Sequence, residues 1–221
     1  MRLNKYIASC SNLSRRGADD AIKLGRITIN GNPATLTSDI KDTDIVKLDS
    51  RTLSPRNDRT IVLLNKPVGY VCSRKGQGSQ TIYDLIPAKY HHLESVGRLD
   101  KDSSGLLLLT DDGELANKLT HPSFRKEKVY EVTLDKSLHE SDLARLQHGI
   151  ELDDGTSRFI INPLKAQNSY LVTISEGRNR QIRRTFEYLG LEVQRLHRTK
   201  FGNYVLPSNL TKGEFSEVDV L

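Results

Sequence analysis

The stretch Gly97-Arg98-Leu99-Asp100-Lys101-Asp102-Ser103-Ser104-Gly105-Leu106-Leu107-Leu108-Leu109-Thr110 decides how this chain is read. A short acidic loop closes directly onto four consecutive leucines. Such a run, bounded by Ser-Gly before it and Thr-Asp after it, predicts a buried strand. A carboxylate in the loop therefore sits at the rim of a hydrophobic core, where the fold fixes its position and the local dielectric is low. Taken alone, Asp100 and Asp102 are equally well ordinary turn residues.

Working outward, Ile61–Leu64, Tyr130–Leu134 and Tyr170–Ile174 read as strands, and Glu114–Leu119, Glu140–His148 and Arg178–Leu189 as helices. In the last helix Ile182, Phe186 and Leu189 form an i, i+4, i+7 apolar stripe, with Gly190 as a stop. The order is not a regular strand–helix alternation, so the expected class is α+β with a mixed sheet. Ahead of this lies a small helical unit. Leu3 and Ile7 start one amphipathic helix; Ser14 is the N-cap of a second that carries Ala18, Ala21 and Ile22 and stops at Gly25. Arg26–Ile29 then alternates like a strand into Asn30-Gly31, and Ile45–Leu48 offers another. Residues 49–60 (DSRTLSPRNDRT) lack apolar periodicity and read as a linker. The expected domains are 1–48 and 61–221.

The chain has 221 residues, enough for a small domain joined to a medium one. Its longest wholly aliphatic runs, among them Leu106–Leu109, are far short of the ~20 residues that span a bilayer, and residues 1–10 lack the apolar core of a secretory signal. Two cysteines, Cys10 and Cys72, make no disulfide framework. A cytoplasmic, membrane-free monomer is the expectation. Of the net charge of +5, six Lys/Arg against two acids fall in residues 1–31, and seven against two in residues 178–200. Two separated basic patches suit a polyanion held at two places, although basic runs are as often plain solvated faces. There is no P-loop, no G-x-S-x-G, no H-E-x-x-H and no metal-ligand spacing among the six histidines.

The loop and its leucines closely resemble the catalytic-aspartate signature of pseudouridine synthases, and more specifically the small-ribosomal-subunit pseudouridine synthase A branch with its large-subunit relatives. The likeness recurs in order: Leu64-Asn65-Lys66-Pro67-Val68-Gly69-Tyr70 resembles the first family motif, Lys128-Val129-Tyr130-Glu131-Val132 the tyrosine strand, and Glu176-Gly177-Arg178-Asn179-Arg180-Gln181-Ile182-Arg183-Arg184 the arginine motif. Residues 2–31 resemble the alpha-L RNA-binding domain of ribosomal proteins. The resemblance implies an α+β catalytic domain on a mixed, mainly antiparallel sheet with flanking helices.

It also implies a cofactor-free isomerisation of a uridine in ribosomal RNA. The bond from C1′ to N1 breaks, the uracil turns, and C5 joins C1′. Asp100 takes the catalytic carboxylate's role, as nucleophile or as base; Tyr130 stacks on the base; Arg183 balances the carboxylate. Asp102 is the structural competitor. The target must be flipped out of its stack at a cost of a few kcal/mol. Arg2, Lys5, Arg15, Arg16, Lys23 and Arg26 would grip phosphates from the small domain. Arg178, Arg180, Arg184, Arg195, Arg198 and Lys200 would surround the cleft, with Arg98 as a wedge or a loop brace and Lys66 structural or facing phosphate. The expected partner is ribosomal RNA or an assembly intermediate, with 16S RNA preferred and 23S RNA the alternative. Two rivals remain: an RNA-binding assembly factor with incidental catalysis, and a glycoside hydrolase using Asp100 and Asp102 together.

Overall fold

The structure is a computed structural model and describes residues 1–11, 13–55 and 59–218. The chain divides into two compact units, Met1–Arg59 with Asp111–Gly113, and Thr60–Thr110 with Glu114 onward.

In the first unit, helix α1 (Leu3–Cys10) buries Leu3 and Ile7, and helix α2 (Arg15–Lys23) buries Ala18, Ala21 and Ile22. The Ser14 hydroxyl accepts from the Gly17 amide at 3.0 Å, satisfying one of the amides a helix start leaves free. Strands β1 (Ile27–Ile29), β2 (Asn32–Pro33), β3 (Val46–Leu48) and β4 (Arg51–Thr52) make an antiparallel sheet in the order β2-β1-β3-β4. The stretch read as a linker is in part folded. Asp49 and Ser50 take left-handed φ values of 48° and 68° to turn β3 into β4, and Leu53 is buried in this unit's core. Residues 56–58 of that stretch lie outside the described residues.

The second unit is α+β, built on a mixed sheet. Its strands are β5 (Ile61–Lys66), β6 (Glu94–Val96), β7 (Ser104–Thr110), β8 (Lys128–Leu134), β11 (Ile160–Pro163), β12 (Ser169–Ile174), β13 (Val193–Phe201), β14 (Tyr204–Val205) and β15 (Phe215–Val218). The path runs β11-β12-β8-β13-β7-β5-β15, with β6 on β7 and β14 on β13. A separate hairpin joins β9 (Ile150–Leu152) to β10 (Gly155–Ser157), and the α-helices are α3 (Gly113–Thr120), α4 (Glu140–His148) and α5 (Gln181–Tyr188).

Among the described residues the named strands all pair antiparallel except β13 with β7, which run parallel through His197↔Ser104 and Arg198↔Gly105. That seam is tight. Gly105 has φ +104°, and a Cβ there would lie 2.2 Å from the Arg198 carbonyl oxygen, so only glycine fits. The Arg198 Nε donates to the Leu106 carbonyl at 2.8 Å, and Ser104 Oγ lies 2.9 Å from His197 Nδ1. The four leucines Leu106–Leu109 are fully buried, alternately entering the two apolar clusters on the faces of the sheet.

Candidate active site

Lys66 ends β5 with no exposed surface. Its ammonium donates to the carbonyls of Pro67 (3.0 Å), Asp100 (3.0 Å) and Ser103 (2.8 Å), using all three of its donors. Burial pushes its pKa down, opposed by Cys72, Asp100 and Asp102. Beside it, Cys72 Sγ lies 3.3 Å from the Leu99 carbonyl and 3.4 Å from the Leu99 amide. The loop between β6 and β7 is thus fastened through its main chain at residues 99, 100 and 103. Leu99 and Ser103 turn inward, while Asp100 opens onto a cleft of about 500 Å³.

The cleft's other walls come from the neighbouring strands and the arginine motif. On β8, Tyr130 is buried and lies opposite Arg198 of β13; two residues away, Lys128 lies opposite Phe201. All four line the cleft, together with Arg98, Arg180, Ile182 and Leu196. Arg98 is exposed at the rim. Residues 176–180 form a loop rather than the first turn of a helix. Arg180 takes a left-handed φ of 46°, and α5 starts only at Gln181. A buried cluster holds the loop: Gln181 Nε2 donates to Ser157 Oγ at 3.0 Å and to Glu176, and Thr185 Oγ1 to Ser157 Oγ at 2.8 Å.

The arginines do not divide their work as the sequence suggests. Arg180 Nη1 lies 3.7 Å from Asp100 Oδ2, and Arg180 also grips Asp102 with two bonds of 3.1 and 3.0 Å. Arg183 pairs with Asp102, its Nε 3.2 Å from Oδ2, and donates to the carbonyls of Asp102 (2.9 Å) and Val193 (2.7 Å). The guanidinium beside Asp100 is therefore that of Arg180, because the left-handed residue ahead of α5 aims its side chain at the loop. Arg183, most of a turn further on, is drawn to Asp102. Burial raises the Asp102 pKa, but the Arg180 hydrogen bonds and both arginine charges outweigh it and hold the carboxyl below its ordinary value. The clamp is complete at neutral pH and is lost as the pH falls through that lowered value. With both its oxygens committed, Asp102 is not the second free carboxylate that a hydrolase would need.

Six other sequence-chosen cations already face carboxylates. Arg178 donates to Asp154 (2.7 Å), Gly155 O (2.7 Å) and Thr156 O (2.9 Å), and Arg184 donates to Asp154 at 2.7 and 3.1 Å. Both fasten the β9–β10 turn, and neither is free to hold RNA as it stands. In the first unit, Arg26 is tied through two nitrogens to Asp49. Arg195 and Lys200 face Glu131 (3.1 Å) and Glu127 (3.7 Å), and Lys23 lies 3.8 Å from Asp20. Arg2, Lys5, Arg15 and Arg16 are exposed. Arg198, expected at the cleft's surface, is instead 2% exposed in its floor.

The sequence reading passed over Lys128 and Phe201. The signal for Lys128 was present: residues two apart on a strand share a face, so Lys128 must point with Tyr130.

The chain is similar to known proteins along nearly its whole length. The family model described as RNA pseudouridylate synthase matches residues 60–188, which hold Asp100, Tyr130 and Arg183. The chain is 35% identical over 230 residues to the ribosomal large subunit pseudouridine synthase B of Vibrio cholerae, covering 99% of this chain and 72% of that protein. To the protein of the same name from Salmonella typhimurium it is 35% identical, with 99% and 79% covered. A solved pseudouridylate synthase crystal structure superposes with a TM-score of 0.70 at 34% identity, over 99% of this chain and 96% of that one. These relatives carry the large-subunit name, so the preference for the small-subunit branch is not supported and the large-subunit alternative fits better. With an ordered match across the catalytic unit and relatives alike along nearly the whole length, the chain belongs to the RNA pseudouridylate synthase family.

Proposed function

We propose that the chain converts a uridine of large-subunit ribosomal RNA to pseudouridine, with Asp100 as the catalytic carboxylate. One observation carries this reading: Asp100 projects into the cleft from a loop whose backbone is locked by the buried Lys66 ammonium, in the cleft that Tyr130 also lines. Preorganisation of this kind is what a carboxylate acting on a ribose carbon requires. Asp100 attacks C1′ or removes a sugar proton while the C1′–N1 bond breaks. The freed uracil rotates against the Tyr130 ring and C5 bonds to C1′ as the Asp100–C1′ bond breaks or, on the other route, as Asp100 returns the sugar proton; the C5 proton leaves and N1 takes one up. Arg180 and Arg183 position the loop through Asp102, and Arg180 also lends positive charge to Asp100. The large-subunit choice rests on the names of the relatives.

The test is a map of pseudouridines in ribosomal RNA from cells lacking the gene. One 23S site is expected to disappear and to return with the gene. Loss of a 16S site instead would restore the small-subunit reading, and an unchanged map would end the proposal.

The first unit, in this reading, grips RNA phosphates through Arg15 and Arg16 at the start of α2. Replacing both with Gln is expected to weaken RNA binding and to reduce the slope of log K against log salt by about 1.5, from roughly 0.7–0.9 per phosphate contact. Arg26→Gln is expected to do less, since Asp49 already holds that guanidinium. Filter binding at several salt concentrations measures both. If the slope does not move, the patch is only a solvated face.

A further inference from the structure

Lys128 and Arg198 stand apart from the two ion-paired arginines of the cleft, Arg178 and Arg180. Arg180 has Asp100 and Asp102, and Arg178 has Asp154 and Glu176. Among the described residues neither Lys128 nor Arg198 has a carboxylate partner. Arg198 is 2% exposed; its Nε donates to the Leu106 carbonyl, while its Nη2 is buried with no hydrogen-bond partner. Lys128 reaches only the carbonyls of Lys126 and Glu176, at 3.3 and 3.4 Å. The Glu176 carboxylate is itself taken up by Gln181 and Arg178. Both cations sit on one ring: Lys128 Nζ lies 5.1 Å and the Arg198 guanidinium 4.8 Å from the centroid of Phe201.

Two like charges set against one aromatic ring repel each other; burial together with Arg198 lowers the Lys128 pKa, opposed in part by the Glu176 carboxylate. A ring quadrupole offsets only ~0.5–2 kcal/mol of such a cost. A neutral carbonyl of a base would leave most of the charge uncompensated. A full anion would satisfy the Arg198 nitrogens and cancel the repulsion. The position narrows the choice of anion. Lys128 is two residues from Tyr130 on the same strand face, about 6.6 Å along the strand. One nucleotide spans that separation, with its base at the tyrosine and its phosphate at the cation pair.

We propose that Lys128 and Arg198, seated on Phe201, form a phosphate-binding subsite for the nucleotide whose base lies against Tyr130. The subsite rests on the reading of the cleft as the seat of the target nucleotide, and it adds the anchor that draws that nucleotide's backbone to the cleft floor.

The test is titration of the protein with uridine and with uridine 5′- and 3′-monophosphate, followed by NMR. At least one monophosphate is expected to bind about tenfold more tightly than uridine. Lys128→Gln should bring that ratio close to one without changing the affinity for uridine, and Lys128→Arg should restore most of it. In the wild-type protein the Lys128 side-chain resonances should shift with the monophosphate and not with uridine, a readout independent of how the variants fold. A wild type that does not distinguish monophosphate from nucleoside overturns the subsite, as does a preference that survives in Lys128→Gln. Failure to form pseudouridine on ribosomal RNA would sink the parent reading and leave this measurement intact.

Discussion

Asp100→Asn is expected to leave RNA binding within about twofold of wild type while reducing pseudouridine formation by at least roughly 10³-fold, the scale on which loss of an essential acid, base or nucleophile is felt. The amide has the same shape and the loop is fastened by main-chain carbonyls, so the backbone geometry survives the change. What disappears is the anion. Asp102 cannot substitute two residues later, because Arg180 and Arg183 hold its carboxylate. Single-turnover conversion of ribosomal RNA, read by pseudouridine-specific chemistry, measures the loss. Undiminished turnover would remove Asp100 from the reaction. Release of free uracil by the wild type would turn the chain into a hydrolase instead.

Lys66→Met is expected to injure both the fold and the rate. The substitution keeps an apolar stem of similar length but leaves the carbonyls of Pro67, Asp100 and Ser103 without their donor. Each unsatisfied buried group costs ~1–3 kcal/mol, partly offset because a charge no longer has to be buried. A net loss of about 3 kcal/mol corresponds to a melting temperature lower by about 6–12 °C for a chain of this size. Well below that temperature kcat should still fall by about 10²-fold, since the catalytic carboxylate is displaced by something near 1 Å. RNA affinity should hold, because Lys66 is buried and touches no solvent. Calorimetry combined with single-turnover kinetics decides the matter. A normal rate constant in a merely less stable protein would reduce Lys66 to a packing residue.

Much of this architecture was legible where apolar pattern and local geometry agree. The four leucines of β7, the Ser14-capped helix and the strand around Tyr130 are cases of that kind. Strand β13 was not legible, although it is the longest strand and lies in mid-sheet. Its sequence, Val-Gln-Arg-Leu-His-Arg-Thr-Lys-Phe, buries His197 and Arg198, so the alternation that marks a strand is broken by the residues that serve the site. The arginine motif was legible as a basic cluster but not as a division of labour. Asp154, which takes up Arg178 and Arg184, lies 24 and 30 residues away, and no local pattern announces it. The start of α5 was missed for a related reason: Arg180 adopts a glycine-like φ without being glycine. The presumed linker hid one buried leucine and a two-residue turn made of Asp and Ser, which carry weaker turn signals than Asn-Gly.

The position of β13 has a consequence for a nascent chain. This strand lies between β8 and β7, yet it is made after both, and its pairing with Ser104 reaches back across 93 residues. During synthesis at ~5–20 residues per second, the β5–β7 pair and the β8, β11 and β12 strands emerge first with nothing to bridge them. Local hairpins close early and distant partners late. Arg198 and Phe201 arrive with the bridging strand, so the cleft comes into being in one late event. Until β13 has docked the cleft lacks Arg198 and Phe201, so a growing polypeptide still threaded through a ribosome is expected to leave the RNA around it unaltered.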